Sequence, residues 1–400
     1  MATLKANDLE YKFPESLTVV KNRTQHRQYF TTKSFNYDDK YMECVWKTGN
    51  GFINPKKSFL CFDLKSNATE TFTFGSTESA SPEGGLATSI FKSIRIKHRL
   101  GKILNECRAS NRWTWIKFVY QMSRDWRDSV GSGMELGAGE LIGAVSPRRF
   151  CVPLYLLDSF FVPKGDSHLI PPQMANGLTL TFSLEEPSKC LDSGATGYNI
   201  SNIYFMLDRS ELEIEGSSKV SSEAFKRGLS YSYTKVYSQE EYIPIAGAFT
   251  SDVEEACSFC EKVYVQPVAP TSGVGFEKSR PTSANTKFRY QFNHGDRQYP
   301  YMPTEDFREQ FQSNLECFDL EHGKTSIRYT PQWVTTDQLY AVSLERSELP
   351  LSGLAVNGDR IMRFSVQSTD TTTFPVTRYV TFMEYSAVAT ASLENITIVL

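Results

Sequence analysis

The sequence lacks an apolar run long enough to cross a membrane as a helix. Such a helix needs about 18 consecutive apolar residues, whereas the longest apolar runs here, Leu154–Leu157 and Ile203–Leu207, have the length of strands. The N-terminus, Met-Ala-Thr-Leu-Lys-Ala-Asn-Asp, also lacks the apolar core of a signal peptide. The sequence therefore predicts a soluble chain without a membrane span, and one that is not exported by a signal peptide.

A strong charge of one sign is lacking as well. The chain has 43 basic and 46 acidic residues, which give a net charge of −3. Proteins that bind nucleic acid by counterion release concentrate Lys and Arg on one face or tail, but residues 1–30 contain no polybasic arm. The near-balance therefore argues against direct, sequence-specific nucleic-acid binding.

Cysteine is sparse. The eight cysteines are spread along 400 residues, whereas a disulfide scaffold is shorter and denser in cysteine. Several cysteines lie within apolar alternation, as Cys61 does in Phe-Leu-Cys-Phe, and this predicts small buried apolar side chains. A reducing compartment is therefore the expected location of the folding chain.

Sequence patterns for phosphate binding and hydrolysis are missing. Gly323-Lys324-Thr325 ends like a phosphate-binding loop, but Phe318 occupies the position of the upstream glycine. The sequence contains no His-Glu-x-x-His metal helix and no Gly-x-Ser-x-Gly nucleophile elbow, and its five histidines are scattered. It therefore predicts no catalytic residue, no cofactor-binding residue and no cofactor.

Two weaker patterns have competing interpretations. Cys257 and Cys260 have the spacing of half a zinc site, but the other half is missing. A cysteine pair packed in or near an apolar helix or strand is therefore favoured, and no metal ligand is predicted. Glycoside hydrolysis needs two carboxyls about 5–9 Å apart across a cleft, whereas neighbours on a strand point to opposite faces. Solvated charges are therefore expected for the acidic pairs Glu185-Glu186, Glu240-Glu241 and Glu254-Glu255.

Aromatic residues are abundant, at 13% of the chain. Together with many Thr, Ser and Val residues they favour pleated, half-buried surfaces. Apolar residues alternate with polar ones in short runs bounded by turn residues, which is typical of strands with one buried face. This pattern predicts a mostly β protein; its clearest examples are Leu60/Phe62/Leu64, Leu178/Leu180/Phe182/Leu184, Phe288/Tyr290/Phe292, Met362/Phe364/Val366 and Ile396/Ile398/Leu400.

Helical spacing occurs in two longer segments. After a possible cap at Ser110-Asn111, the apolar stripe Trp115, Phe118, Val119, Met122 and Trp126 predicts an amphipathic helix. The stripe fits the core or a subunit seam, and the core is favoured. Thr304 is expected to cap a second helix, with Glu305 and Asp306 in its first turn and a buried stripe at Phe307, Phe311, Leu315 and Phe318. A shorter helix is predicted from Ser221 to Lys226.

The chain divides into two similar halves. Each half is predicted to open with an apolar strand, at 58–64 and 202–207, and to close on an alternating strand, at 178–185 and 395–400. A turn-rich, linker-like segment at 186–197 lies between them. The predicted domains are therefore an N-terminal arm and lead-in at 1–50, a first sandwich at 51–190 and a second at 191–400, each with enough strands for eight.

Particular stretches carry more information than composition. Phe52-Ile-Asn-Pro-Lys-Lys-Ser-Phe-Leu-Cys-Phe-Asp-Leu64 resembles a first core strand, and Ser89–Gly101 resembles a strand and turn with a serine and basic residues before a glycine. Further matches follow in order at Val152–Leu157, Leu169–Pro172, Gly177–Phe182, Phe288–Phe292, Tyr299–Pro300, the helix from Thr304, Val380–Tyr385 and Asn395–Ile398. Together, over about residues 50–400, they resemble the double-jelly-roll major capsid proteins of polinton-like viruses, virophages and allied double-stranded DNA viruses.

The resemblance implies an all-β fold: two consecutive eight-stranded antiparallel jelly-roll sandwiches with a few short helices in the connections. It also implies a viral major capsid protein, made inside the host cell and located in the virion. Its partners would be two further copies in a homotrimer, neighbouring capsomers, and penton and minor capsid proteins. Three copies would give six sandwiches, a pseudo-hexagonal block that tiles an icosahedral shell around DNA.

The resemblance also implies roles for the loops and the N-terminus. The long loops at 124–147, 186–199 and 267–285 would project outward as towers. Residues 1–50 would form an arm that bridges neighbours, so deleting residues 1–30 is expected to leave soluble trimers but to impair shell closure.

Two other kinds of protein remain open from the sequence. The first is a penton or minor capsid protein, although pentons commonly have a single jelly roll. The second, from another class, is a β-sandwich carbohydrate-binding protein or glycosidase, which needs convergent carboxylates or an aromatic platform.

Overall fold

Strands organised into four antiparallel sheets dominate the described part of the computed structural model. The structure describes residues 20–67, 86–134, 146–165, 168–191, 196–213, 222, 228–242, 248–268, 288–318, 339–345, 352–358, 360–368, 378–392 and 395–399.

The first nine strands form two sheets. Sheet I contains β1 and β2, which both pair with β9, followed by β4 and β7, and sheet II has the order β3–β8–β5–β6. We call this sandwich the first roll. Its strands are β1 Val20–Tyr29, β2 Ser34–Asn36, β3 Met42–Val45, β4 Phe52–Ser66, β5 Phe91–Lys97, β6 Ile103–Cys107, β7 Arg148–Pro153, β8 Thr179–Leu184 and β9 Tyr198–Leu212.

The later strands form the second roll. Sheet III has the order β10–β18–β12–β15, with β16 beside β12 and β19 beside β18, and sheet IV has the order β11–β17–β13–β14. Its strands are β10 Leu229–Tyr242, β11 Ala248–Val253, β12 Cys257–Val268, β13 Phe288–His294, β14 Arg297–Thr304, β15 Tyr340–Ser343, β16 Leu354–Val356, β17 Met362–Ser368, β18 Arg378–Ala391 and β19 Ile396–Val399.

Both rolls follow one strand order. If β1 and β2 count as one position, and β16 and β19 are set aside as additions, each roll has eight strands among the residues that the structure describes. The first, eighth, third and sixth strands form one sheet, and the second, seventh, fourth and fifth form the other. This is the jelly-roll order of double-sheet sandwiches, and the predicted all-β architecture of two eight-stranded antiparallel jelly rolls is confirmed.

Period-two alternation places the apolar side chains inside, as predicted. In β4, Leu60, Phe62 and Leu64 are buried in the first core, and in β17, Met362 and Phe364 are buried in the second. The same holds for Leu180 and Phe182 of β8 and for Phe288, Tyr290 and Phe292 of β13.

Short helices occupy the connections. They are α1 Ser110–Ile116, α2 Arg124–Trp126, α3 Leu154–Leu157, α4 Pro172–Ala175, α5 Pro187–Cys190 and α6 Phe307–Cys317, with 3-10 turns at Ala87–Ile90 and Ser159–Phe161 and π turns at Lys117–Gln121 and Arg127–Gly131. Both α1 and α6 lie between the fifth and sixth strands of their rolls. The expected helix within one long connection of each half is therefore present.

The details of these helices differ from the prediction. Instead of one helix from residue 110 to residue 126, α1 runs into a π turn, and the chain is extended at Met122. Ser123 then accepts a hydrogen bond from the Trp126 amide, which starts a new turn. The cap of α6 is Asp306, whose side chain accepts from the Arg308 amide, and Thr304 ends β14. The short helix predicted at 221–226 falls outside the described residues, apart from Ser222.

The domain boundaries also differ from the prediction. β9 pairs with β1 and β4, so the apolar strand expected to open the second half is the eighth strand of the first roll. The boundary lies between Glu213 and Gly228 and not at residue 190. Likewise, β1, β2 and β3 belong to the first roll, so these parts of the predicted arm and lead-in are strands of its two sheets. Strand pairing is nonlocal, which is why periodicity alone misplaced these elements.

Candidate assembly surface

The face of sheet I that points away from the core carries a polar cluster. Asp63 follows the core residue Phe62 on β4 and therefore points outward. Arg149 on β7 donates two hydrogen bonds to the Asp63 carboxylate at 2.5 and 2.9 Å, and Asn202 donates a third at 2.7 Å. Burial raises the pKa of Asp63, but the hydrogen bonds and the charge of Arg149 outweigh it, so the pKa is lower than usual. This carboxylate therefore holds three neighbouring strands together as an anion.

An aromatic residue lies at the centre of this face. The Tyr204 ring on β9 is 7% exposed, and two cations approach it: the Arg27 guanidinium carbon at 5.2 Å and the Arg149 carbon at 5.8 Å from the ring centroid. Tyr29 lies beside it at 5.5 Å between centroids and is itself largely exposed. Cations are attracted to the face of an aromatic ring, so the two arginines pack over Tyr204 and cover it on this face.

The edges of the sheets are the second feature of the surface. β1 is a ten-residue edge strand whose side chains are mostly exposed on both faces, and exposed strand edges are templates for pairing with another chain. β14 is the edge of sheet IV and presents Tyr301 at 85% and Met302 at 73% exposure. Pro300 and Pro303 flank them and remove ladder donors. Neighbours on a strand point to opposite faces, so these two side chains expose apolar surface on both sides of this edge.

A polar cleft of about 720 Å³ lies between the two rolls. Lys92 and Arg108 line it from the first roll, and the β10 and β11 carboxylates line it from the second. Several of its charges have partners within the protein: Arg363 forms two hydrogen bonds with Asp252 at 2.6 and 3.0 Å, and Glu241 accepts from Gln239 and Ser251. These carboxylates therefore stabilise the surface of the cleft.

At least one member of each acidic pair weighed as a glycosidase candidate has a structural contact. Glu240 lies 3.6 Å from Arg378, whereas the Glu241 contacts lie in the cleft. The Tyr385 hydroxyl donates to Glu255 at 2.5 Å. The expectation of solvated charges is wrong for Glu185, which is buried and accepts from Asn111 at 3.1 Å. The Asn111 amide lies within hydrogen-bond reach once α1 packs against the sandwich, a tertiary contact that sequence spacing does not reveal.

The two rolls are joined through the free edge of β10. The Lys164 amide donates to the Ser232 carbonyl at 2.9 Å, and the Val236 amide donates to the Asn105 side chain at 3.1 Å. The Ser238 hydroxyl accepts from the Arg108 amide at 2.8 Å. The edge strand of the second roll is thus covered by the first, which leaves it unavailable to other chains.

A buried polar group lies at this junction. Asp158 of the first roll accepts from the Asn105 side chain and the Phe160 amide, both at 2.8 Å. Burial raises the pKa of Asp158 to about 6. Lys117 donates to the Tyr155 carbonyl at 3.0 Å, and burial lowers its pKa to about 8 although Asp158 and Glu384 favour its charge.

Aromatic packing completes the junction. Sheet III has its own core on one side, with Val263 and Met383, and joins the first core on the other through Tyr264 and Phe382. Trp113 of α1 lies 5.4 Å from Tyr264 and 5.2 Å from Phe382 between ring centroids. The outer face of sheet III is therefore buried, and the rolls form one continuous block.

The remaining sequence predictions have mixed outcomes. Cys257 and Cys260 are both buried in β12, which confirms the packed-pair interpretation. No cluster of three or more His, Cys, Asp or Glu residues that could hold a metal occurs among the described residues. Trp115 and Phe118 are buried in the first core, as favoured. Of the expected tower loops, 267–285 lies largely outside the described residues, whereas 124–147 and 186–199 are described in part, with helical turns from 124 to 134 and α5.

Sequence reasoning missed several surface residues. Tyr204 lies inside the apolar run 203–207, where a continuous apolar stretch hides which residues face outward. Tyr301 and Met302 have a local signal that could have been used, since they lie between two prolines, and proline within a strand is largely confined to edges.

Among the described residues, no helix is long and apolar enough to span a membrane. No family model matches the chain, and no curated protein matches it.

The order of the strands defines the class: a double jelly roll of the kind found in capsid proteins. Solved structures agree. VP54 of the virus PBCV-1, fitted into a reconstruction of the virophage Sputnik, superposes with a TM-score of 0.65 at 11% identity, over 95% of this chain and 97% of that chain. A chain of the Sputnik virophage superposes with a TM-score of 0.56 at 11% identity, over 100% of this chain and 93% of that chain. The Faustovirus major capsid protein superposes with a TM-score of 0.55 at 9% identity, over 98% of this chain and 93% of that chain. The chain therefore has the double-jelly-roll fold of these proteins along nearly its whole length.

Proposed function

We propose that the chain is a viral major capsid protein that acts as a structural subunit and not as an enzyme. The observation that carries this proposal is the repetition of one eight-strand order in a single chain, together with a superposition that covers almost all of both chains. Fold similarity alone is a weak guide to function, but here it coincides with three acidic pairs in each of which at least one member has a structural partner, and with exposed strand edges suited to subunit contacts.

The proposed assembly is a homotrimer. Each copy supplies two rolls held in one block, so three copies present six similar sandwiches around a threefold axis. Such a pseudo-hexagonal capsomer tiles an icosahedral shell around a DNA genome, with penton and minor capsid proteins at the remaining positions. Since cyclic trimers use heterologous contacts, two different surfaces of the chain must meet, and the outer face of sheet I and the β14 edge are the two we assign to subunit contacts.

The near-balanced charge supports a shell that encloses DNA without binding its sequence. The chain has 43 basic and 46 acidic residues, and the basic side chains Arg23 and Arg149 are paired with Asp208 and Asp63. Release of counterions from DNA requires unpaired cations. The location that follows is the virion, after synthesis inside the host cell.

Light scattering after size-exclusion chromatography tests the trimer. The expected mass is three times the chain mass of 45.4 kDa, and negative-stain images should show hexagonal blocks. A monomer that persists at high protein concentration would overturn the trimer, and measurable glycosidase turnover would favour the enzyme alternative. A penton is disfavoured because pentons commonly have one jelly roll, and this chain has two.

A further inference from the structure

Two thiols meet on the outer face of sheet I. Cys61 on β4 and Cys151 on β7 are direct partners in the antiparallel register, and their sulfur atoms are 3.1 Å apart. No disulfide bond joins them in this structure. Of the eight cysteines, this pair joins segments that are 90 residues apart in the chain, so it would close a large loop.

From this geometry we infer that Cys61 and Cys151 form a reversible disulfide bond that fastens β7 to β4. Directly opposed residues of antiparallel strands have Cα atoms about 4.5 or 5.5 Å apart, and disulfides need about 4.4–6.8 Å. The strands therefore need no rearrangement. The sulfurs must approach by about 1 Å to reach the bond length of about 2.05 Å, which small side-chain rotations supply.

The surroundings determine which sulfur reacts first. Cys61 is 2% exposed, whereas Cys151 is half-buried and reachable from solvent. The hydrogen bond with Cys151 and burial raise the pKa of Cys61, while Tyr204 and the Arg149 charge act in the opposite direction. Because the thiolate is the nucleophile, Cys151 is the thiol that meets an external oxidant, and Cys61 resolves the intermediate.

The reaction is a thiol–disulfide exchange with a small disulfide such as glutathione disulfide. The Cys151 thiolate attacks one sulfur of the oxidant, forms a mixed disulfide and releases one glutathione. The Cys61 thiolate then attacks the Cys151 sulfur and releases the second glutathione. Two protein thiols are oxidised, one glutathione disulfide is reduced to two thiols, and no further electron acceptor is required.

The bond would act on an edge strand. β7 is an edge strand of sheet I, and among the described strands it pairs with β4 alone. It carries Arg149, whose contacts with Asp63 and Tyr204 organise the outer face. Oxidation therefore fixes the strand that holds this face, and reduction releases it. In a capsid protein, as proposed above, the switch would follow passage from a reducing cell interior to an oxidising exterior.

Peptide mapping tests the bond directly in the unmodified chain. The full chain is equilibrated with glutathione and glutathione disulfide, quenched in acid, denatured, alkylated and digested with trypsin. Trypsin releases Cys61 in residues 58–65 and Cys151 in residues 150–164, each as the single cysteine of its peptide. The expected result is a covalent pair of these two peptides, with two of the eight cysteines protected from alkylation.

Substitutions separate this bond from other oxidation. Cys151→Ser and Cys61→Ala should each abolish the linked peptides, whereas Cys257→Ser, which removes a cysteine elsewhere in the chain, should leave them unchanged. Oxidation should raise the urea midpoint of the unsubstituted chain and not that of Cys151→Ser. Full alkylation of both cysteines across the glutathione range, or protection of a different pair, would overturn the inference. Peptide mapping uses the unsubstituted chain, so its result is valid even if a variant fails to fold. It does not depend on the oligomeric state, so the absence of the disulfide bond would leave the capsid proposal intact.

Discussion

Replacing Asp158 by Asn should make the protein more stable at neutral pH than the unsubstituted chain. Asp158 is fully buried at the junction of the rolls, and burial raises its pKa from 3.8 to about 6. The folded state therefore binds a proton more readily than the unfolded state. Between the two pKa values, stability falls as pH rises, and the loss is complete above the higher value.

The magnitude follows from the two pKa values. Taking 3.8 for the unfolded and about 6 for the folded state, Asp158 removes about 2 kcal/mol of unfolding free energy between about pH 4.5 and pH 7.5. Asn keeps the oxygen that accepts from Asn105 and the Phe160 amide but carries no charge. The substituted chain should therefore lack this part of the pH dependence.

Urea unfolding followed by fluorescence at the two pH values measures the difference. Asp252→Asn is the matched control: the hydrogen bond from Arg363 lowers the pKa of Asp252, so its stabilisation is present at neutral pH and is lost as pH falls. That loss lies below the ordinary pKa of 3.8 and therefore outside the measured range, so Asp252→Asn should leave the difference between the two pH values unchanged, whereas Asp158→Asn should reduce it. If Asp158→Asn and the unsubstituted chain change in parallel between the two pH values, the assigned ionisation at the junction is wrong.

Three further outcomes are expected. Replacing Tyr301 and Met302 together by Glu should reduce the trimer fraction in light scattering with an unchanged circular dichroism spectrum, because both side chains are exposed; a stable trimer would show that β14 is not a subunit contact. Asp63→Asn should lower the free energy of unfolding in urea by about 1–2 kcal/mol at neutral pH. The loss should be smaller in acid, because the pKa of Asp63 is lowered in the folded state and its contribution disappears as pH falls; an equal loss at both pH values would contradict this. Deleting residues 1–30 should yield insoluble protein, because it removes β1 and the buried Phe30. Loss of the Phe30 side chain alone should lower the free energy of unfolding by about 3–5 kcal/mol. A soluble product that is folded by sedimentation and circular dichroism would refute this prediction.

The sequence led to a different expectation for this deletion, namely that residues 1–30 are dispensable for folding. Phe30 packs on Phe35, Phe182 and Phe205, with ring centroids 5.5–6.0 Å apart. None of these partners is a sequence neighbour that periodicity could have linked to it.

Alternation predicted the strands well because burial on one face is a local property of each strand. Leu60, Phe62 and Leu64 are buried as the pattern requires. Which strands pair with each other is not a local property: the pairing of β9 with β4 joins segments far apart in the chain. The expectation of two jelly rolls therefore depended on the resemblance to known proteins and not on alternation.

The surface was harder to predict than the core. The Asp63–Arg149 pair and the two cysteines beside it join β4 with β7 across about 90 residues, and neither partner carries a motif. Similarly, Asp158 and Lys117 look like ordinary charged residues in sequence, but both are buried in the folded chain.

The covered edge of β10 has a consequence for how particles accumulate. If each roll were a separate chain, six molecules would have to find one another for every hexagonal block, and each would lose translational and rotational freedom. Connecting the rolls in one polypeptide makes three of those encounters intramolecular, with a high effective concentration. A contact that never has to dissociate can also tolerate a desolvated lysine and carboxylate, which a reversible contact between free subunits would have to rehydrate each time it opened.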